Sequence, residues 1–177
     1  NEQPYAVVQD LIISSGVALT VGEGVEIRMP EAGNIIVEGQ FIINGTEENP
    51  VQIIPHSSIG DNRWGAICFN NDTDTSTISH LRLIGASTGV DPMVHHGAIS
   101  SINSHIILDH VEIENVEFPI YAEGGSIILN SSSISCDFIC DFINVKGGDA
   151  LIENCIFYGS DAQDTDAIDL DNVTSGI

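Results

Sequence analysis

The sequence predicts an all-β protein wound as a solenoid, and three observations carry that prediction. A four-residue phrase returns as Ala66-Ile67-Cys68-Phe69, Ala98-Ile99-Ser100-Ser101, Pro119-Ile120-Tyr121-Ala122, Phe142-Ile143-Asn144-Val145 and Ala167-Ile168-Asp169-Leu170. Its last four copies are spaced by roughly 21 to 25 positions, a period typical of stacked repeats. A second phrase keeps step with it: Ser76-Thr77-Ile78-Ser79-His80-Leu81, Ile106-Ile107-Leu108-Asp109-His110-Val111, Ile127-Ile128-Leu129-Asn130-Ser131-Ser132 and Ala150-Leu151-Ile152-Glu153-Asn154-Cys155. Composition agrees, because the 42% apolar residues are dominated by isoleucine and valine and aromatics are only 6%. β-Branched side chains suit pleated, buried surfaces. Two short strands recurring in phase imply parallel rungs, each resting on the one before.

In chain order, Tyr5 to Met29 shows short apolar alternations broken by Gly16, Gly22 and Gly24, as strands joined by tight turns require. The pattern restarts at Ile35-Ile36-Val37 and Gln40-Phe41-Ile42-Ile43, then turns at Asn44-Gly45-Thr46-Glu47-Glu48-Asn49-Pro50. Val51-Gln52-Ile53-Ile54 reads as the next strand, and after a polar loop Arg63-Trp64-Gly65-Ala66-Ile67 opens the regular phrase. Residues 85–96 lengthen one turn, so that two phrase copies lie 32 apart across them. Insertions on a solenoid map to loops on one face, often the binding face. One domain spans 1–177, with N-terminal coils over 1–63 and regular coils over 64–177.

Gly16-Val17-Ala18-Leu19-Thr20-Val21-Gly22-Glu23-Gly24-Val25-Glu26-Ile27, Gly45-Thr46-Glu47-Glu48-Asn49-Pro50-Val51 and Trp64-Gly65-Ala66-Ile67 resemble the first coils of secreted bacterial right-handed β-helix proteins of the pectin-lyase-like class. Ile143-Asn144-Val145-Lys146-Gly147-Gly148, Ile152-Glu153-Asn154-Cys155 and Asp164-Thr165-Asp166-Ala167-Ile168-Asp169-Leu170-Asp171 narrow the resemblance. They are similar to β-helix regions of large extracellular proteins that also carry spore-coat-type kinase-like or lamin-tail-like domains. The resemblance implies a single-stranded right-handed parallel β-helix of about seven coils, secreted or at the cell surface, with other domains in the same parent chain. It specifies coils and turns, and no chemistry. No Gly-rich phosphate loop or kinase signature set is present. A fresh strand just before Ile177 without a polar cap leads us to expect that the natural protein continues.

Four Lys+Arg against 26 Asp+Glu give a formal charge of −22. Such a surface repels phosphate backbones and anionic membranes, which argues against nucleic-acid partners. It equally disfavours a groove for polyuronic acids, whereas it suits solubility first and divalent cations second. No apolar run is of membrane length. Cys68, Cys136, Cys140 and Cys155 lack paired Cys-x-x-Cys spacing, so a zinc ribbon is not expected. Cys155 aligns with inward Val111 and reads as a buried free thiol, with a Cys136–Cys155 disulfide as the alternative.

Alternation assigns faces. With Ile67, Ile99, Ile120, Ile143 and Ile168 inward, Cys68, Ser100, Tyr121, Asn144 and Asp169 point outward, and Ser100, Tyr121, Asn144 and Asp169 form the candidate binding face. Lys146 falls between Glu123 and Asp171 in another column, where it would relieve carboxylate repulsion. The turn column His80, His110, Ser131 and Asn154 reads as polar stacking between rungs; a metal on His80 and His110, helped by Asp109, is the sharper alternative. His95-His96 are a weaker pair still. The densest acidic cluster, Asp161, Asp164, Asp166, Asp169 and Asp171, suggests calcium held by Asp164, Asp166, Asp169 and Asp171, against a solvated acidic turn.

The leading functional expectation is a non-catalytic scaffold or surface-binding module that recognises polysaccharide or another surface protein and needs no cofactor. A pectinase-like lyase or glycoside hydrolase is the alternative, with Asp141, Asp169 and Asp171 as the plausible outward carboxylates and few bases available. End-to-end assembly into a fibre is the third.

Overall fold

The computed structural model describes residues 3–57, 63–70, 74–136, 138, 140–159 and 166–176. Among these residues every regular element is a strand, and every strand pairing is parallel. The fold is an all-β parallel solenoid with a 7-stranded sheet and a 12-stranded sheet.

The isoleucine phrase builds the smaller sheet, whose strands are Leu11–Ile13, Ile35–Val37, Ile67–Asn70, Ile99–Ile102, Ile120–Glu123, Ile143–Lys146 and Ile168–Asp171. The register stacks Leu11, Ile35, Ile67, Ile99, Ile120, Ile143 and Ile168 into one inward column. Leu11 and Ile35 extend that column by two rungs that the phrase itself does not announce. Ile35, Ile67, Ile99 and Ile143 are wholly buried, whereas Ile168, on the outermost strand of this sheet among the described residues, is 39% exposed.

The larger sheet bends along its length. Strands Ser76–Ile84 and His105–Glu114 pass through the bend at His80 and His110, while the next two rungs break there into Ser126–Asn130 with Ser133–Ser135 and Asp149–Glu153 with Ile156–Tyr158. At the bend His80, His110, Ser131 and Asn154 all hold positive φ, at 50°, 53°, 49° and 55°. L-residues pay a steric cost in this region, which short polar side chains offset by local bonding. Within the predicted turn column the His80 and His110 rings stack, and just beside it Asn154 Nδ2 donates to Asn130 Oδ1 at 3.2 Å and Asn130 Nδ2 to Asp109 Oδ1 at 2.9 Å. A second corner column of Asn103, Gly124, Gly147 and Asn172 has the same handedness.

Trp64 and Gly65 set the entry to the Ile67 rung. The wholly buried indole donates from Nε1 to the Ile84 carbonyl at 2.8 Å. Asn34 fills the space beside Gly65, its Oδ1 accepting the Ala66 N–H at 3.0 Å. A Cβ on Gly65 would meet that Oδ1 at 2.1 Å, so only glycine fits. Pairings Ile35↔Ile67 and Ile53↔Leu83 carry both sheets across this step without a break.

Candidate functional site

Outward from the isoleucine sheet runs the column Ile12, Ile36, Cys68, Ser100, Tyr121, Asn144 and Asp169. Its accessibility is uneven. Cys68 and Ser100 are wholly buried, Tyr121 is nearly so, and Asn144 and Asp169 remain partly open. The cause is the 85–96 insertion, which folds over the sheet. The Val90 backbone hydrogen-bonds the Cys68 thiol, and a Cβ on Gly89 would meet Cys68 Sγ at 2.4 Å. Ser100 Oγ is engaged with the Gly97 N–H and carbonyl, both at 2.9 Å. Burial pushes the Cys68 thiol up to about 11, against the Val90 hydrogen bond and with a contribution from Asp10. Of the four residues expected to form a binding face, Ser100 is therefore shut away beneath the loop.

Where the loop ends, a cleft of about 340 Å³ opens, lined by His96, Phe118, Ile120, Tyr121, Cys140, Asp141, Asn144 and Lys146. The His96 ring packs on Tyr121 at 4.7 Å between centroids, tilted 57°. Tyr121 O–H donates to Glu123 Oε2 at 2.8 Å. Burial, then that hydrogen bond and the Glu123 charge, push the phenol up to about 12, so it remains a neutral donor.

Asn144 organises the other wall. Its Nδ2 donates to Asp169 Oδ2 at 2.9 Å and lies 3.5 Å from Asp141 Oδ2, so two carboxylates fix the orientation of the amide. Asn144 Oδ1 is consequently left as a buried acceptor with no donor among the described residues. Cys140, beside Asp141, has its thiol pushed up by burial and by hydrogen bonding and charge from Cys136.

Lys146 departs from its expected role. The register does align Glu123, Lys146 and Asp171. Its ammonium nevertheless lies 5.6 Å from the Tyr121 ring centroid, and none of the ion pairs formed among the described residues includes it. Glu123 is turned to the tyrosine hydroxyl, and a flexible four-carbon stem lets the lysine cover the ring face instead.

The acidic cluster is only partly within the described residues, since Asp161 and Asp164 lie outside them. Asp166 donates its N–H to Asp141 Oδ1 at 3.3 Å, Asp169 accepts from Asn144, and Asp171 stands opposite Lys146 in the register. Among the described residues no group of three His, Cys, Asp or Glu side chains converges as a metal site. His80 and His110 stack at 4.6 Å with 22° between planes, and His110 Nδ1 meets Asp109 Oδ2 at 3.1 Å. They line a groove of about 290 Å³, and although Asp109 stands beside His110, no set of three ligands converges there among the described residues.

All four cysteines are free. The Cys136–Cys155 disulfide is excluded by register: Ser133 pairs with Ile156, which puts Cys155 opposite Ser132, four positions from Cys136. Four extended residues span about 13 Å, well beyond disulfide reach. Cys155 is also half-buried where full burial was expected, because the rung beyond it covers it poorly.

Sequence reasoning ranked His95-His96 last among the histidines. In the fold His96 forms the rim of the cleft, and His95 is buried under the loop. The usable signal was the insertion itself, which had to end beside the Tyr121 rung. Comparisons with protein-family models, with curated proteins and with solved structures give no match, so resemblance to a β-helix family rests on the chain's own motifs.

Proposed function

We propose that the chain is a non-catalytic, extracellular scaffold of the right-handed parallel β-helix type, with about seven coils, from a larger exported protein, and that its cleft recognises uncharged carbohydrate on a polysaccharide or glycosylated surface. One observation carries this reading. The Tyr121 ring on one rung and the Asp141 carboxylate, Asn144 and Lys146 Nζ on the next line one concave site that sets an acceptor and a donor beside an aromatic face. Rungs repeat at about 4.8 Å, a spacing comparable to a pyranose ring, so a sugar held at the Asn144 rung reaches the Tyr121 ring on the rung before. Local carboxylates disfavour a polyanionic ligand.

The cleavage alternative is less well supported. Hydrolysis needs two carboxyls facing an open gap that holds the scissile bond. Asp141 and Asp169 instead converge on the Asn144 amide, which occupies the space between them. A lyase base would have to be Lys146, which lies over a tyrosine ring. A glycan array run beside a reducing-sugar assay on neutral and acidic polysaccharides tests the choice. Binding without product supports the scaffold; released oligosaccharide reverses it.

End-to-end assembly is the second reading, favoured by apolar side chains at both ends. Leu11, Leu19, Val25 and Ile27 line an open apolar hollow of about 520 Å³ at one end, and Ile156, Tyr158, Ile168 and Leu170 are exposed at the other. Size-exclusion chromatography with and without calcium checks it, and a strict monomer in both conditions counts against it.

A further inference from the structure

We infer that loop 85–96 is an acid-opened cover over the Cys68 and Ser100 rungs, latched by the neutral side chain of His95. The imidazole is 7% exposed and is held at both nitrogens. The Asp91 backbone N–H donates to Nδ1 at 3.3 Å, and Nε2 meets Asn70 Oδ1 at 2.9 Å. A backbone N–H cannot turn into an acceptor, so Nδ1 must carry the lone pair and Nε2 the proton, which Asn70 Oδ1 accepts. Only the neutral tautomer satisfies both contacts. A second proton would land on Nδ1, facing the Asp91 N–H.

That contact ties the loop to the sheet. Asn70 belongs to strand Ile67–Asn70, whereas Asp91 and His95 close the loop on itself through Val94 N–H to Asp91 O at 2.9 Å and Gly89 N–H to His95 O at 3.0 Å. Directly beneath, Gly89 is wedged between Cys68 and His95, so closely that a Cβ there would lie 2.4 Å from Cys68 Sγ and 2.6 Å from His95 Cβ. The charged or titratable groups around the imidazole are Asp91 and His96 on the loop, and Cys68 on the strand, with Asp10 of a neighbouring rung acting on that thiol. Asp91 favours the protonated ring, but its Oδ1 accepts the Met93 N–H. Burial outweighs Asp91, and the His96 charge adds to burial, so His95 is held below its ordinary 6.5.

The sign follows. A histidine whose value is depressed in the closed state takes its proton more readily in the open one. Closure is fully supported above 6.5 and is lost as pH falls below it, by up to about tenfold in the closed-to-open ratio per pH unit. Opening bares Cys68 and Ser100 and lengthens the groove that starts at the cleft. The inference does not depend on what the cleft binds.

Two measurements on the intact chain test it between about pH 7.5 and about pH 5, the range in which histidine changes charge. Hydrogen exchange, corrected for intrinsic rate, should rise in peptides covering 87–96 while the 106–113 strand stays protected. Labelling by dithiodipyridine, which reacts with thiols in acid, should rise at Cys68 when mapped by peptide mass. His95→Gln keeps a donor toward Asn70 and cannot be protonated, so both pH slopes should flatten whatever the baseline; His96→Gln should retain them. A loop that exchanges equally at both pH values in the wild type overturns the inference. So does an equal slope in His95→Gln, or a 106–113 strand that opens in step with the loop.

Discussion

The outer face of the isoleucine sheet divides into two halves built from one repeat. On the rungs of Cys68 and Ser100 the inserted loop covers the column completely, and both outward residues are as buried as the core isoleucines behind them. On the rungs of Asn144 and Asp169 none of the described residues folds over the sheet, and the same column becomes a polar wall beside a cleft. A rung therefore takes its inner face from the repeat and its outer face from whatever the neighbouring turn lays over it. A two-sided rung behaves as core, a one-sided rung as surface, and function is to be sought on the second kind.

The largest effect expected from this division is in stability. Ile99→Ala removes a side chain sealed on both sides of a covered rung and should cost about 2–5 kcal/mol in chemical denaturation. Ile168→Ala, on the 39% exposed terminal rung, should cost less than about 1 kcal/mol. Equal losses would erase the distinction between the two ends of the column.

Next, Gly89→Ala drives a methyl group against Cys68 Sγ and His95 Cβ, and should destabilise by about 1–3 kcal/mol while raising exchange in the loop alone. If the change leaves Cys68 as protected as before, the loop does not rest on that rung as described.

Asn144→Asp sharpens the open half. A third carboxylate would join Asp141 and Asp169, and its folded-state value would be raised by their charge. Such a group lowers stability above its unfolded value, and that loss recedes as the pH falls and the carboxyl takes up a proton. A deficit of about 1 kcal/mol at neutral pH that shrinks in acid is expected in thermal melts followed across pH. Tyr121→Phe is the mildest, losing the hydroxyl contact to Glu123 for about 0.5–1 kcal/mol in denaturant titration.

Much of the fold was legible in the residues. Parallel rungs with a period-two strand and a repeat of fixed phase place Ile67, Ile99, Ile120, Ile143 and Ile168 inward, and the register agrees at every step. The turn column of His80, His110, Ser131 and Asn154 was legible for the same reason. Alternation says which way a side chain points, however, and not what lies over it. Ser100 points outward as expected and is still buried, because the path of residues 85–96 depends on packing that no periodicity records. Lys146 shows a second limit: its backbone position follows from register, but the end of a long side chain chooses among several neighbours. His95 and Asn144 could be placed, one on the inserted loop and the other in the outward column, but their bonding could not, since it comes from fixed partners on other rungs, Asn70 for one and Asp169 for the other.

The most direct test compares the two halves with one ligand. Isothermal titration of the strongest array glycan should show Asn144→Leu weakening binding by about tenfold or more, which is about 1.4 kcal/mol, while Ser100→Ala leaves affinity unchanged at neutral pH. Loss of binding in Ser100→Ala alone, or undiminished binding in Asn144→Leu, would contradict a recognition site confined to the uncovered rungs.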